Sequence, residues 1–164
     1  MRPLYIAFIC IGIVAVWVAT FIVAMINTFD RLVFDYKFHD FKFNAVAIIN
    51  EMAKTKQVVV DSYLTLIIEN PTWLTLMISD ISLELFYNDV LFVKLLNDGN
   101  KDFFIVSRMK TTFDRRINVF INSTTFGIIG KYNRKEAIPL KYVFSGKKYG
   151  ITFSTKGVYN YIPE

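Results

Sequence analysis

The sequence predicts an all-β sandwich carried on one N-terminal transmembrane helix. Three observations lead there. Residues 4–26 form an unbroken apolar run with no charged side chain. The residues after it alternate apolar and polar in short segments bounded by turn residues, the period of half-buried strands. Aromatic residues make up 16% of the 164, with 16 phenylalanines, more than the anchor alone accounts for and suited to a well-filled β core.

The apolar run comes first. About 23 residues at roughly 1.5 Å each make a helix of about 35 Å, enough to cross a hydrocarbon layer of about 30 Å with some tilt. A helix is required because an unpaired backbone amide in lipid costs several kcal/mol. A cleaved signal peptide is the competing reading, but the run exceeds an h-region of about 7 to 15 residues and no clean A-x-A site closes it. The chain therefore divides into an anchor, residues 1–29, and an extracytoplasmic domain, residues 30–164. Arg2 on one side and Arg31, Lys37 and Lys42 on the other leave the positive-inside count undecided, since Asp30, Asp35 and Asp40 are interspersed. A cytoplasmic N-terminus is expected because long domains translocate largely regardless of charge. Asn122-Ser123-Thr124 is also a glycosylation acceptor that functions only outside. Gly12, Ala15 and Ala19 share one helical face and are candidates for close helix packing. Cys10, the only cysteine, lies within the run, so no disulfide can staple the outer domain.

After the anchor, residues 32–43 alternate through Phe34, Tyr36 and Phe38, slip phase at His39-Asp40, and resume at Phe41 and Phe43, which reads as a strand with a bulge. Asn44 can cap a helix over residues 45–56, with Ala45, Ile48, Ile49, Met52 and Lys56 on one side; it is the only helix expected in the outer domain. Residues 58–69 alternate again, with Val58, Val60, Leu64, Leu66 and Ile68 on one face, and Asn70-Pro71 ends that strand. Ile81, Leu83, Leu85 and Tyr87 mark another strand, turned at Asn88-Asp89 into residues 90–96 and again at residues 97–100. One long strand is expected over residues 103–122, with Ile105, Met109, Phe113, Ile117, Val119 and Ile121 inward. Residues 126–136 fit helix and strand equally. A terminal hairpin, turned at residues 145–148, closes the chain.

Residues 64–89, LTLIIENPTWLTLMISDISLELFYND, resemble the late embryogenesis abundant type 2 family, the water-stress and hypersensitive-response domain. The resemblance is carried by Asn70, Pro71, Leu76, Ile78, Ile81, Leu83, Leu85, Tyr87 and Asn88. The pattern extends over roughly residues 33–159, with IPLKYVFSGKKYGITF as its terminal hairpin. Asp89 stands where glycine is common, and Phe92 where a small residue is frequent, which implies a less regular hairpin there. The resemblance implies a fibronectin type III or immunoglobulin-like sandwich of about seven strands and one helix, often membrane-tethered, without catalytic machinery. It also implies roles in stress protection, contact with lipids or hydrophobic ligands, and protein interaction.

Little in the chain points to chemistry. A catalytic triad would need His39, the only histidine, and zinc would need clustered Cys or His ligands that are absent. In Asp98-Gly99-Asn100, aligning Gly99 with the calcium-loop glycine puts Lys94 and Leu96 where oxygen ligands belong, so a hairpin turn is expected instead. Gly127 and Gly130 lack the spacing of a phosphate loop. The net charge of +5 is dispersed, with pairs such as Arg115-Arg116 and Lys147-Lys148 fitting solvated faces, which argues against nucleic acid. The expectation is a non-enzymatic accessory or structural subunit of a membrane complex. It needs no cofactor, and its partners are membrane lipids and other integral subunits. The alternative, implied by the resemblance, is a free-standing stress-protection or lipid- or hydrophobic-ligand-contacting domain using Phe34, Phe38, Phe41 and Trp73.

Overall fold

The computed structural model describes residues 2–39, 44–96 and 102–163. The apolar run is one continuous helix, α1 (Arg2–Asp30). A single antiparallel sheet follows, β1 (Val33–His39), β2 (Val58–Glu69), β3 (Leu76–Tyr87), β4 (Val90–Leu95), β5 (Phe103–Ile105), β6 (Lys110–Ile121), β7 (Ile138–Lys148) and β8 (Ile151–Tyr161). Two further helices are α2 (Ala45–Thr55), between β1 and β2, and α3 (Phe126–Asn133), between β6 and β7. The spatial order is β1-β2-β6-β4-β3-β7-β8, with β5 added to β3. The fold is thus mostly β, with eight strands in a curled antiparallel sheet and three helices, the first of them apolar.

Curling brings the sheet's two edges face to face. Tyr36 on β1 packs its ring 4.4 Å from Tyr159 on β8, and Phe34 lies 4.6 Å from Phe144 on β7. The Tyr159 hydroxyl donates to Asp35 across the same seam, at 2.5 Å. The core inside the curl comes from the alternating residues: Leu64, Leu66, Ile68, Leu83, Leu85, Ile117, Val119, Ile121, Leu140 and Phe144 are all essentially inaccessible. The end of α1 enters this core. Met25, Phe29 and Leu32 are buried, and the Phe29 ring stacks on Phe144 at 5.5 Å and meets Phe153 at 5.8 Å.

Several expected elements change. The strand expected over residues 103–122 is two strands. Arg108 takes a left-handed φ of 54°, β5 pairs with β3, and β6 pairs with β2 and β4. Met109, expected inward, is exposed, because the backbone around it is drawn toward the loop after β2. The ambiguous residues 126–136 hold α3, so the described residues after α1 form two helices where one was expected. Ile128 and Ile129 fill its inner face. In α2 the Asn44 cap forms, its side chain accepting from the Ala47 amide at 3.2 Å, and Ile48 is buried; Ile49, expected on the same face, is exposed. Lys56, expected on that face too, is the left-handed cap that ends the helix. In β3 the inward set shifts from Leu76 and Ile78 to Ile81, Leu83 and Leu85. The shift occurs at a bulge around Asp80, whose φ is 50°. A second bulge lies at Phe92, where β3 and β4 change register and Phe92 and Val93 are both buried. The phase slip expected at His39-Asp40 and the turn at residues 97–100 fall on residues outside the described set.

Candidate functional site

Two regions stand out: the surface of α1 and the end of the domain where α1 enters it. From residue 6 to residue 21 every side chain of α1 is exposed, including Ile6, Phe8, Ile11, Val16 and Trp17, so nothing among the described residues covers it. By length and composition the helix can cross a membrane. Gly12, Ala15 and Ala19 lie on this uncovered part, and a Cβ built on Gly12 meets no heavy atom within 4 Å. Cys10 is exposed on the same stretch. The polar Thr20 is satisfied internally, its hydroxyl donating to the Val16 carbonyl at 2.8 Å.

Where α1 meets the sheet, Asn70 organises the backbone. It is completely buried, and both halves of its amide are used. The nitrogen donates to the carbonyls of Leu74 at 2.8 Å and Ile105 at 3.2 Å, and the oxygen accepts from the Thr72 amide at 3.0 Å and the Thr72 hydroxyl at 2.8 Å. Its own backbone amide donates to the Met109 carbonyl at 3.0 Å. The loop after Pro71 is thereby tied to the turn between β5 and β6, and a further bond runs from the Arg108 amide to the Thr72 carbonyl. Thr72 also lies 3.3 Å, hydroxyl to hydroxyl, from the buried Thr28 of α1. Pro71 is exposed, and its part is to hold the residue before it extended. Beside this network lies a cavity of about 350 Å³ lined by Ala24, Asn27, Thr28, Arg31, Pro71, Thr72, Trp73 and Arg108. Trp73 is 73% exposed, whereas Phe34 is buried and Phe38 half-buried; Phe41 lies outside the described residues.

His39 is brought close to two possible catalytic partners. Its Nε2 meets the Thr65 hydroxyl, which donates to Asp114 at 2.5 Å. The hydroxyl is therefore in the middle, with its proton directed at a carboxylate. In a nucleophilic triad the imidazole is in the middle and takes that proton. The line crosses three neighbouring strands and covers the polar face of the sheet above the buried Thr65. On the edge seam, the Tyr36 hydroxyl is buried without a hydrogen-bond partner. Burial is the main cause that holds both the Tyr36 and the Tyr159 hydroxyls above the usual phenol range. The next cause is the charge of Tyr159 for Tyr36 and the hydrogen bond to Asp35 for Tyr159.

Asn122 is half-buried at the end of β6. Its side-chain oxygen accepts from the amides of Thr124 and Thr125, forming the turn that leads into α3. Gly127 and Gly130 lie within α3. Of the basic pairs, Arg115 lies over the Phe103 ring at 4.6 Å while Arg116 faces Asp61 at 3.8 Å; Lys147 faces Asp80 at 3.7 Å and Lys148 lies over Tyr149 at 4.6 Å. The loop at residues 98–101 lies outside the described residues. Sequence reasoning missed the grouping of Arg31, Thr28, Thr72 and Arg108. No local signal marks it, because folding brings the four together from three separate segments.

The chain matches no known family and no curated protein. Among solved structures it is similar to a protein from Archaeoglobus fulgidus, at 7% identity over 80% of this chain and 96% of that one, with a TM-score of 0.39. It is similar also to the GAE domain of yeast GGA1, at 14% identity over 80% of this chain and 91% of that one, with the same TM-score.

Proposed function

We propose that the chain is a single-pass membrane protein whose outer β domain acts by protein interaction, without catalysis, as an accessory or structural subunit of a membrane complex. One observation carries the reading: α1 runs without a break from an uncovered apolar surface into the domain core, where Phe29 packs on Phe144 and Phe153. A helix that only tethered its domain would work equally well through a flexible linker. One built into the core holds the domain at a set angle to whatever packs on the span. Gly12, Ala15 and Ala19 offer the face on which another helix can approach closely. The sheet is read as a two-layered sandwich of the fibronectin type III or immunoglobulin kind, and the chain as a late embryogenesis abundant type 2 domain; the buried, fully bonded Asn70 supports that kinship. The N-terminus is placed in the cytoplasm and the domain outside, with Asn122 as a sugar acceptor.

Purification from native membranes in mild detergent, followed by mass spectrometry of the intact particle, tests the subunit reading. Recovery with other integral membrane chains, reduced by Gly12→Leu, is the expected result; recovery of the chain alone as a monomer contradicts it. The second reading, a free-standing stress-protection domain or one contacting lipid or a hydrophobic ligand, draws on the exposed Trp73 in the lining of the cavity beside α1.

A further inference from the structure

We propose that the cavity beside the end of α1 is a binding site for the headgroup of an anionic phospholipid, with Arg31 and Arg108 holding the phosphate. The inference rests on the reading that α1 spans a bilayer and is independent of whether the chain belongs to a complex.

Depth is the first argument. The apolar run ends at Ile26, and Arg31 lies five residues on, about 7 Å along the helix axis at roughly 1.5 Å per residue. If the apolar run fills the hydrocarbon, the stretch from Asn27 to Arg31 lies at the level of the headgroups. The cavity is lined by Asn27, Thr28 and Arg31 of this stretch, with Ala24 one turn earlier, which puts it at the depth of a lipid phosphate. Trp73 in its lining is a large, exposed amphipathic ring of the kind that settles at that depth.

Charge is the second. The lining contains two guanidinium groups and no carboxylate. Among the described residues neither Arg31 nor Arg108 takes part in an ion pair, so no carboxylate of the described chain neutralises them. Guanidinium is suited to this task, because its planar donors match phosphate oxygens two at a time. Asn27, Thr28 and Thr72 supply further polar atoms in the same wall.

Rigidity is the third. Arg108 is on a turn whose amide is bonded to the Thr72 carbonyl, and Thr72 is held by the buried Asn70 and touches Thr28 of α1. Both arginine-bearing segments are fixed to one scaffold before any ligand arrives, which lowers the ordering cost of binding.

The test uses the full chain in detergent, titrated with dioleoylphosphatidylglycerol and, in parallel, with dioleoylphosphatidylcholine, with bound lipids counted by native mass spectrometry. Expected are one retained phosphatidylglycerol, at least tenfold weaker retention of phosphatidylcholine, and a loss of about tenfold in phosphatidylglycerol affinity for each of Arg31→Gln and Arg108→Gln. Lys156→Gln, on β8 away from the cavity, should leave retention unchanged. Trp73→Ala, an exposed position that does not threaten folding, should weaken retention and serves if an arginine variant does not fold. Equal retention of phosphatidylglycerol by wild type and the arginine variants overturns the proposal, as does displacement of the lipid by millimolar inorganic phosphate, which would make the site one for a free anion. Carbonate extraction of membranes is scored separately. A chain released by carbonate refutes the spanning reading; a chain that stays but retains both lipids equally refutes the headgroup site alone.

Discussion

Replacing Asn70 with alanine removes four side-chain hydrogen bonds at a completely buried position and leaves the carbonyls of Leu74 and Ile105 and the amide of Thr72 without partners. A neutral hydrogen bond contributes about 0.5–1.5 kcal/mol net, and a buried group left unpaired costs about 1–3 kcal/mol. Water reaching the truncated site recovers part of that, so the expected loss is about 3 kcal/mol. For a chain of this size about 2–4 °C is lost per kcal/mol, a fall of about 6–12 °C in the midpoint. Asn70→Asp separates the two halves of the amide: the acceptor side survives, the two donations are lost, and a charge is buried, so at neutral pH it should be at least as damaging. Pro71→Ala is the control. Its side chain is exposed, and its effect acts through the unfolded chain at about 0.4–1 kcal/mol. The measurement is thermal unfolding of the full chain in detergent, followed by intrinsic fluorescence, in which Trp73 on the same loop also reports local loosening. A fall of less than 2 °C for Asn70→Ala, or an Asn70→Asp variant as stable as wild type, would refute the claim that this side chain holds the three segments together.

The other predictions concern the core and the seam. Phe29→Ala should cost about 3–5 kcal/mol, because a 2%-exposed ring stacked on Phe144 and Phe153 leaves a cavity; equilibrium unfolding measures it, and a cost below 1 kcal/mol would show that α1 is only tethered. Tyr36→Phe removes a hydroxyl buried without a partner and should be neutral or stabilising by about 1 kcal/mol in the same assay. Gly157→Val should destabilise, since a Cβ there would lie 2.7 Å from the Tyr142 hydroxyl, and Tyr142→Ala should rescue part of the loss. Tyr36 and Tyr159 ionise above the usual phenol range in the folded state, so their contribution is complete below the unfolded value of about 10 and is lost as pH rises past it toward the folded values. Ultraviolet titration should find both phenols silent near pH 10, and Asp35→Asn should lower the apparent value of Tyr159.

Much of the architecture could be read from alternation alone. The bounds of β2 and the Asn44 cap of α2 followed from period and capping chemistry, because in those places local preference and tertiary demand agree. Three places did not. The turn at Arg108 contains no glycine or proline, and its left-handed backbone is held from outside by Thr72 and Thr75, so the alternation ran on through it. In α3 two glycines weakened the helical signal, while burial of Ile128 and Ile129 made a helix worthwhile only in the folded chain. Ile49 fits the apolar face of α2 by spacing, yet it is exposed while Ile48 and Met52 pack into the core. For the candidate site, the sequence showed Trp73, Arg31 and Asn70 singly. Their grouping with Arg108 and Thr28 depends on long-range pairing, which no local pattern encodes.

The insertion of Phe29 between Phe144 and Phe153 also sets an order of events during synthesis. The plug emerges early, with the anchor; the strands that close around it, β7 and β8, are made last. Until they arrive, Phe29 lacks Phe144 and Phe153, and β1 lacks the aromatic partners it meets across the seam. Completion of this core is therefore a late, non-local event, and such closures are slow. The waiting rings stay without these partners through that interval. Translation arrest or truncation before β8 would leave the sheet open at this seam, a natural point for quality control to act.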